Sequence, residues 1–151
     1  MLGAAALDAS VLKGRTVLNL DSEDEGVLTV SCAGGNVSVC TLPVTRAPFS
    51  GTALTVTVGG LLGGHSGAEI DKGRGNANLL MGRVLYAVGA RTPLRLVSVA
   101  GGLKDNAIPR ESRAVIAVAD AAAAQAAIAD MDAALRHEYA AADPDVFVRV
   151  D

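Results

Sequence analysis

Apolar and polar side chains alternate along residues 52–58, and they do so most regularly from residue 54 onward. Leu54, Val56 and Val58 fall on one face of this segment, and two threonines fall on the other. Because successive side chains of a strand point to opposite faces, this period of two predicts a strand with one buried face. Beyond residue 58, three further segments carry strand patterns, at residues 94–100, 113–119 and 146–150.

Between these strands, the apolar residues recur every three to four positions, which predicts two helices. We expect the first helix over residues 76–88, with Asn76 or Gly75 as its N-cap. The second helix is expected over residues 121–141, with Asp120 as its N-cap. This second helix is rich in alanine, so it combines high helix propensity with little apolar bulk.

The order of elements from residue 52 is therefore β-α-β-β-α-β. This is the ferredoxin-like pattern of the α+β class, an antiparallel sheet with two helices on one face. The fold hosts many functions and identifies none by itself. One face of the sheet would lack helices, and another subunit, another domain or the N-terminal hairpin could cover it. An uncovered edge strand can also pair with a second copy. The pattern therefore predicts a homodimer.

The segment before residue 52 is predicted to form a β-hairpin followed by a connector. The hairpin strands are expected at residues 27–32 and 37–42, on either side of a glycine-rich turn. Cys32 and Cys40 flank that turn. They either form a disulfide or serve as small buried apolar residues, and we favour the second because nothing marks the chain as secreted.

Composition and charge exclude several classes of function. The chain has 151 residues, of which 50% are hydrophobic and 3% aromatic. A chain of this length buries about 70% of its unfolded surface, so it needs no disulfide to fold. The net charge is −3, and the sequence has no block of like charge. It therefore predicts no basic surface that would bind nucleic acid or an anionic membrane. We expect no signal peptide and no membrane span.

Three polar residues are candidates for chemistry. His65 lies in the glycine-rich segment 59–67, and histidine is the side chain best suited to exchange protons near neutral pH. Asp21 follows an apolar strand pattern, and Asn106 lies between the two middle strands. Each residue also has a purely structural interpretation. His65 would then be a surface histidine, Asp21 part of a solvated acidic turn, and Asn106 a loop asparagine. Neither a nucleophile elbow nor a phosphate-binding loop accompanies them, so a complete catalytic site is not predicted.

Several stretches of the chain form a specific set when they are taken together and in order. They are Leu18-Asn19-Leu20-Asp21-Ser22-Glu23-Asp24-Glu25-Gly26, Ser31-Cys32-Ala33-Gly34-Gly35, residues 59–67 with Glu69-Ile70, Gly75-Asn76-Ala77-Asn78, and Asn106-Ala107-Ile108-Pro109-Arg110-Glu111. In these stretches, over roughly residues 15–119, the chain resembles the M20 metallopeptidases, specifically the aminoacyl-histidine dipeptidase group.

The resemblance implies a role for each candidate residue. Such enzymes have a catalytic domain with two zinc ions and an inserted lid, or dimerisation, domain. Asp21 aligns with a zinc-ligand aspartate. His65 aligns with the lid histidine that stabilises the oxyanion formed when water attacks a peptide carbonyl, often in the partner subunit. Asn106 aligns with a lid asparagine that helps to hold the dipeptide substrate.

The departures from the family pattern indicate a segment rather than a whole enzyme. The other zinc ligands and the glutamate general base have no counterpart here. The resemblance therefore implies that residues 1–25 are a remnant of the catalytic domain edge, 26–51 the hairpin and connector, and 52–151 the lid domain. We expect a cytoplasmic homodimer that is inactive alone and binds no zinc by itself. A free-standing ferredoxin-like module that binds a small molecule, and a purely structural fragment, are the alternatives.

Overall fold

The structure, a computed structural model, describes residues 8–16, 25–28, 30 and 36–151. The chain divides into two units, Met1–Val44 and Thr45–Asp151. In the first unit, the described residues contain one short 3₁₀ helix, Ala9–Val11, at which the Ser10 backbone N–H donates to the Asp8 carboxylate. All the strands and α-helices of the described residues lie in the second unit.

The second unit has the predicted ferredoxin-like topology. Its elements in chain order are β1 Thr52–Gly59, β2 Gly64–His65, a 3₁₀ helix Ile70–Lys72, α1 Ala77–Gly89, β3 Leu94–Gly101, β4 Ala107–Ile108, β5 Ser112–Val118, α2 Ala121–Glu138 and β6 Phe147–Val150. Four strands form a sheet in the order β3-β5-β1-β6, and every neighbouring pair is antiparallel. The short strands β2 and β4 form a separate pair. This confirms the α+β class and the β-α-β-β-α-β order.

One face of the sheet forms the core. Leu54, Val56 and Val58 of β1 are buried there, as the alternation predicts. Both helices pack on this face, α1 through an apolar stripe that includes Leu80 and α2 through side chains such as Ile128. The opposite face carries no helix within the described part of the chain. No helix among the described residues is long and apolar enough to cross a membrane.

The helices begin at the predicted caps. The Asn76 side-chain oxygen accepts hydrogen bonds from the backbone N–H groups of Asn78 and Leu79, at 3.0 and 3.3 Å. The Asp120 carboxylate caps α2 in the same way. However, α2 ends at Glu138, three residues before the predicted end. It ends there because the chain turns back after Tyr139, whose carbonyl accepts the N–H of residue 143 at 2.8 Å.

The prediction of a second hairpin strand at residues 37–42 is wrong. Residues 37–42 form no strand, and their large apolar side chains are exposed. A two-stranded hairpin is marginal in water unless a further strand or a helix covers its apolar face. The predicted first strand at 27–32 lies mostly outside the described residues. Cys40 is exposed rather than buried, and Cys32 lies outside the described residues.

The edge strand β3 departs from the predicted alternation at Val97. The pairing with β5 passes from Leu96↔Ile116 to Ser98↔Val115, so Val97 is the extra residue of a β-bulge. The freed Val97 carbonyl accepts a hydrogen bond from the Arg46 guanidinium at 3.0 Å. The bulge therefore reverses the expected facing of the side chains beyond Val97.

Candidate functional site

The glycine-rich segment after β1 depends on glycine at two positions in particular. Gly60 has a φ of 76° and lies against the Asp145 carbonyl, which leaves no space for a side chain. Gly64 has a φ of 140°, and a Cβ there would lie 2.6 Å from both the Glu69 carboxylate and the Arg74 guanidinium. Since L-residues rarely adopt these conformations, glycine lets the segment fold back close to charged groups.

His65 is held in a defined tautomer by its own loop. The backbone N–H groups of Gly67 and Ala68 both donate to its Nδ1 atom, each at 3.1 Å. An imidazole nitrogen that accepts hydrogen bonds carries no proton, so the neutral ring carries its hydrogen on Nε2. The residue is exposed. The loop therefore presents the Nε2–H of His65 as a hydrogen-bond donor.

The Glu69 carboxylate binds both the backbone of His65 and two nearby cations. Its carboxylate accepts the His65 backbone N–H at 2.9 Å, the Lys72 ammonium at 2.9 Å and the Arg74 guanidinium at 3.2 Å. The Arg74 guanidinium also donates to the Gly63 carbonyl. The hydrogen bonds from Lys72 and from the His65 backbone lower the pKa of Glu69 from 4.5 to about 2.

The lowered pKa predicts that the loop loosens in acid. A carboxylate whose folded pKa is depressed contributes stability above its unfolded value, and this contribution is lost as the pH falls from 4.5 towards 2. We expect the Glu69 carboxyl carbon to titrate with a midpoint near 2 by NMR, with the His65 amide resonance following it. In Lys72→Met the midpoint should rise towards 4.5. A midpoint near 4.5 in the wild-type chain would contradict this picture.

The structure brings His65 and Asn106 together. Strand β2 pairs with β4 so that His65 lies opposite Ala107, and the Ser66 backbone N–H donates to the Asn106 carbonyl at 3.0 Å. Both predicted site residues are exposed at this paired edge. The third one, Asp21, lies outside the described residues.

An open cavity of about 460 Å³ lies beside this pair of strands. Its lining includes Ser66, Arg74, Lys104, Asp105 and Tyr139, the residue directly after α2. The cavity therefore adjoins the residues next to His65 and Asn106 and combines groups of both charges with apolar walls.

The described residues do not fit a zinc centre. They contain no group of three or more histidine, cysteine, aspartate or glutamate side chains that could hold a metal ion. A zinc site needs at least three such ligands. In addition, the Nδ1 atom of His65 already accepts two hydrogen bonds. We therefore assign no metal-dependent step to the described residues.

Sequence reasoning gave no role to the residues that support His65. Glu69 was noted only within the family resemblance, and Arg74 was not noted. They lie four and nine positions after the histidine, so a search for charged residues just beyond residue 67 would have found both. Asp143 accepts the backbone N–H of Leu62 from 81 positions away. No local pattern signals such a contact.

Fold and site together define a ferredoxin-like domain that presents His65 and Asn106 at one exposed edge. Residues 56–143 match the M20_dimer family model, described as the peptidase dimerisation domain. The chain belongs to this family.

Two dipeptidases are similar to this chain. The cytosol non-specific dipeptidase of Escherichia coli (strain K12) is 43% identical over 121 residues, which cover 79% of this chain and 25% of that protein. The crystal structure of aminoacylhistidine dipeptidase from Vibrio alginolyticus matches with 38% identity and a TM-score of 0.57. That match covers 64% of this chain and 20% of the Vibrio chain. The chain thus spans a quarter or less of each relative.

Proposed function

We propose that this chain is the lid and dimerisation segment of a zinc-dependent dipeptidase that hydrolyses Xaa-His dipeptides. The observation that carries the proposal is the tautomer of His65. Two backbone N–H groups hold its Nδ1 as an acceptor, so the neutral ring offers Nε2–H to a partner. The 43% identity to the E. coli dipeptidase supports the same assignment.

A neutral histidine donor suits the chemistry of peptide hydrolysis. When water attacks a peptide carbonyl, negative charge develops on the carbonyl oxygen. A donor aimed at that oxygen stabilises the transition state more than the substrate and so raises the rate. We assign this role to His65. Asn106, held beside it through the Ser66 N–H, is assigned to substrate binding because its amide both donates and accepts hydrogen bonds.

The remainder of the catalytic site is assigned to the rest of the parent enzyme. We propose that Asp21 is one of its zinc ligands and that residues 1–25 form an edge of its catalytic domain. Residues 26–51 would then connect that domain to the lid, residues 52–151. Zinc bound there would polarise the carbonyl and activate water. A cytoplasmic location is proposed because the E. coli relative is named a cytosol enzyme.

A chimaera tests the lid function. This chain would replace the matching quarter of the E. coli dipeptidase, and zinc-dependent hydrolysis of an Xaa-His dipeptide would be measured. We expect the chimaera to hydrolyse the dipeptide and the isolated chain with added zinc to be inactive. The control is a chimaera that lacks residues 59–67. Turnover by the isolated chain would overturn the assignment, and so would an inactive chimaera that folds and binds zinc.

Homodimerisation through the β3 edge is the second part of the proposal. Strand β3 is an outer strand, and its Val99 side chain is 51% exposed. The unpaired backbone groups of such an edge can pair with β3 of a second copy. On α1, Leu79 and Tyr86 are also exposed and line an apolar groove. Family membership in the peptidase dimerisation domains supports this proposal.

Light scattering after size exclusion tests the dimer. We expect a mass of twice 15.2 kDa for the wild-type chain and 15.2 kDa for Val99→Lys, because lysine on an edge strand opposes strand pairing. The matched control is Val30→Lys, at a valine that is 95% exposed in the first unit, and it should stay dimeric. A wild-type monomer at high concentration, or a dimer that Val99→Lys leaves intact, would refute pairing through β3.

A further inference from the structure

Asp143 is a buried carboxylate that the proposed chemistry does not use. It lies between α2 and β6 and is 0% exposed. Its Oδ1 atom accepts the Leu62 backbone N–H at 2.7 Å, and its Oδ2 atom accepts the Gly75 backbone N–H at 2.6 Å. One carboxylate therefore binds the main chain at two points that lie 13 residues apart.

These two points bracket the segment that carries His65. Inside the bracket, Arg74 donates to both the Gly63 carbonyl and the Glu69 carboxylate, and Glu69 accepts the His65 N–H. The segment is thus tied together internally, and Asp143 binds it near both of its ends. A shift of either end would move the imidazole with it.

Asp143 is itself fixed by its neighbours. Its backbone N–H donates to the Tyr139 carbonyl at 2.8 Å, directly after the end of α2. Its carbonyl accepts the Val146 N–H at 3.1 Å, just before β6. The carboxylate is therefore held at a fixed position relative to α2 and β6. Through its hydrogen bonds it fixes the position of the loop relative to the same two elements.

We propose that Asp143 is a positioning residue that holds the His65 loop at both ends. The role uses both oxygens of a carboxylate, since Oδ1 accepts one N–H and Oδ2 accepts the other. An asparagine at this position keeps one acceptor and turns an NH₂ group towards the other donor. The effect of Asp143 on the loop stands on the contacts alone. Its effect on hydrolysis rests on the proposed function.

NMR on the isolated chain tests the effect on the loop. In the wild-type chain we expect the Leu62 and Gly75 amide protons to be protected from exchange and the His65 ring nitrogens to show one tautomer, protonated at Nε2. In Asp143→Asn, exchange of at least the amide that loses its acceptor should rise by about tenfold or more, and the ring signals should shift towards a mixture of tautomers. The matched control is Asp145→Asn, at an exposed aspartate two positions further on, which should change neither signal.

The proposal would be overturned by unprotected Leu62 and Gly75 amides in the wild-type chain. This result is decisive even if Asp143→Asn does not fold. It would also be overturned if a folded Asp143→Asn chain kept wild-type exchange and the wild-type tautomer. Circular dichroism identifies the folded variants.

The dipeptidase chimaera tests the consequence for catalysis. In it, Asp143→Asn should lower kcat by about 10- to 100-fold with little change in KM, because a displaced donor weakens transition-state contacts more than substrate binding. Asp145→Asn should keep both constants. If His65→Ala leaves kcat unchanged, the proposed function fails, while the NMR result on the isolated chain still decides the positioning role. Unchanged kcat in Asp143→Asn, where His65→Ala does lower it, would restrict Asp143 to a structural role.

Discussion

Replacing His65 by alanine in the dipeptidase chimaera is expected to lower kcat by about 10²- to 10³-fold, with a much smaller change in KM. The reason is that, in the proposed function, the Nε2–H donates to an oxygen whose negative charge develops only in the transition state. Removal of one such donor costs about 3–4 kcal/mol of transition-state stabilisation. Steady-state kinetics on an Xaa-His dipeptide, with zinc present in excess, measures both constants.

His137 provides the matched control for this substitution. It is the second of the two histidines of the chain, and it lies on α2 near the helix C-terminus. The paired edge at β2 and β4 contains His65 but not His137. His137→Ala should therefore keep kcat and KM within about twofold, since surface substitutions away from a site have small effects. Equal losses in the two variants would argue for damage to the fold rather than loss of a donor.

Truncation of Leu80 is expected to lower the stability of the domain strongly. Leu80 lies on α1, is 1% exposed and packs against the core face of the sheet. Leu80→Ala removes buried methyl groups and leaves a cavity that the surrounding side chains fill only in part. The expected loss in the free energy of unfolding is about 2–5 kcal/mol. Urea unfolding followed by circular dichroism measures it.

The same substitution at an exposed leucine shows whether the loss of stability comes from burial of the side chain or from the change of residue type. Leu103 is 97% exposed and lies outside the helices and the strands. Leu103→Ala should change the free energy of unfolding by no more than about 0.5 kcal/mol. An equally small change in Leu80→Ala would contradict the described packing of α1 on the sheet. Because the chain is expected to dimerise, both variants should be compared at one protein concentration.

The four strands of the main sheet and the two helices were predictable because each has a local signal, whereas the two-residue strands β2 and β4 were not predicted. The alternation along β1 predicts its buried face, and the side chains of Asn76 and Asp120 cap the helices at the positions where the apolar period begins. The end of α2 was less predictable. It depends on hydrogen bonds to the Tyr139 carbonyl, which form only when the chain turns back there.

The hairpin before residue 52 shows the limit of local patterns. The residues at 37–42 have the alternation of a strand, yet they form none. A strand needs a paired backbone and a covered face, and these are properties of the surroundings rather than of the segment. The bulge at Val97 has the same origin, because the register of β3 is decided by its pairing with β5 and not by its own sequence.

By itself, the sequence determined the fold class, the helix caps, the family resemblance and the identity of His65 and Asn106 as candidate residues. These follow from local periodicity and from motifs that lie within a few residues of one another. The tertiary structure alone decided how the histidine is held. Its tautomer depends on a loop that closes on itself, and the position of that loop depends on Asp143, which is 81 residues from Leu62 in the chain. Hydrogen bonds depend on distance in space, so contacts of this kind exist only in the folded molecule.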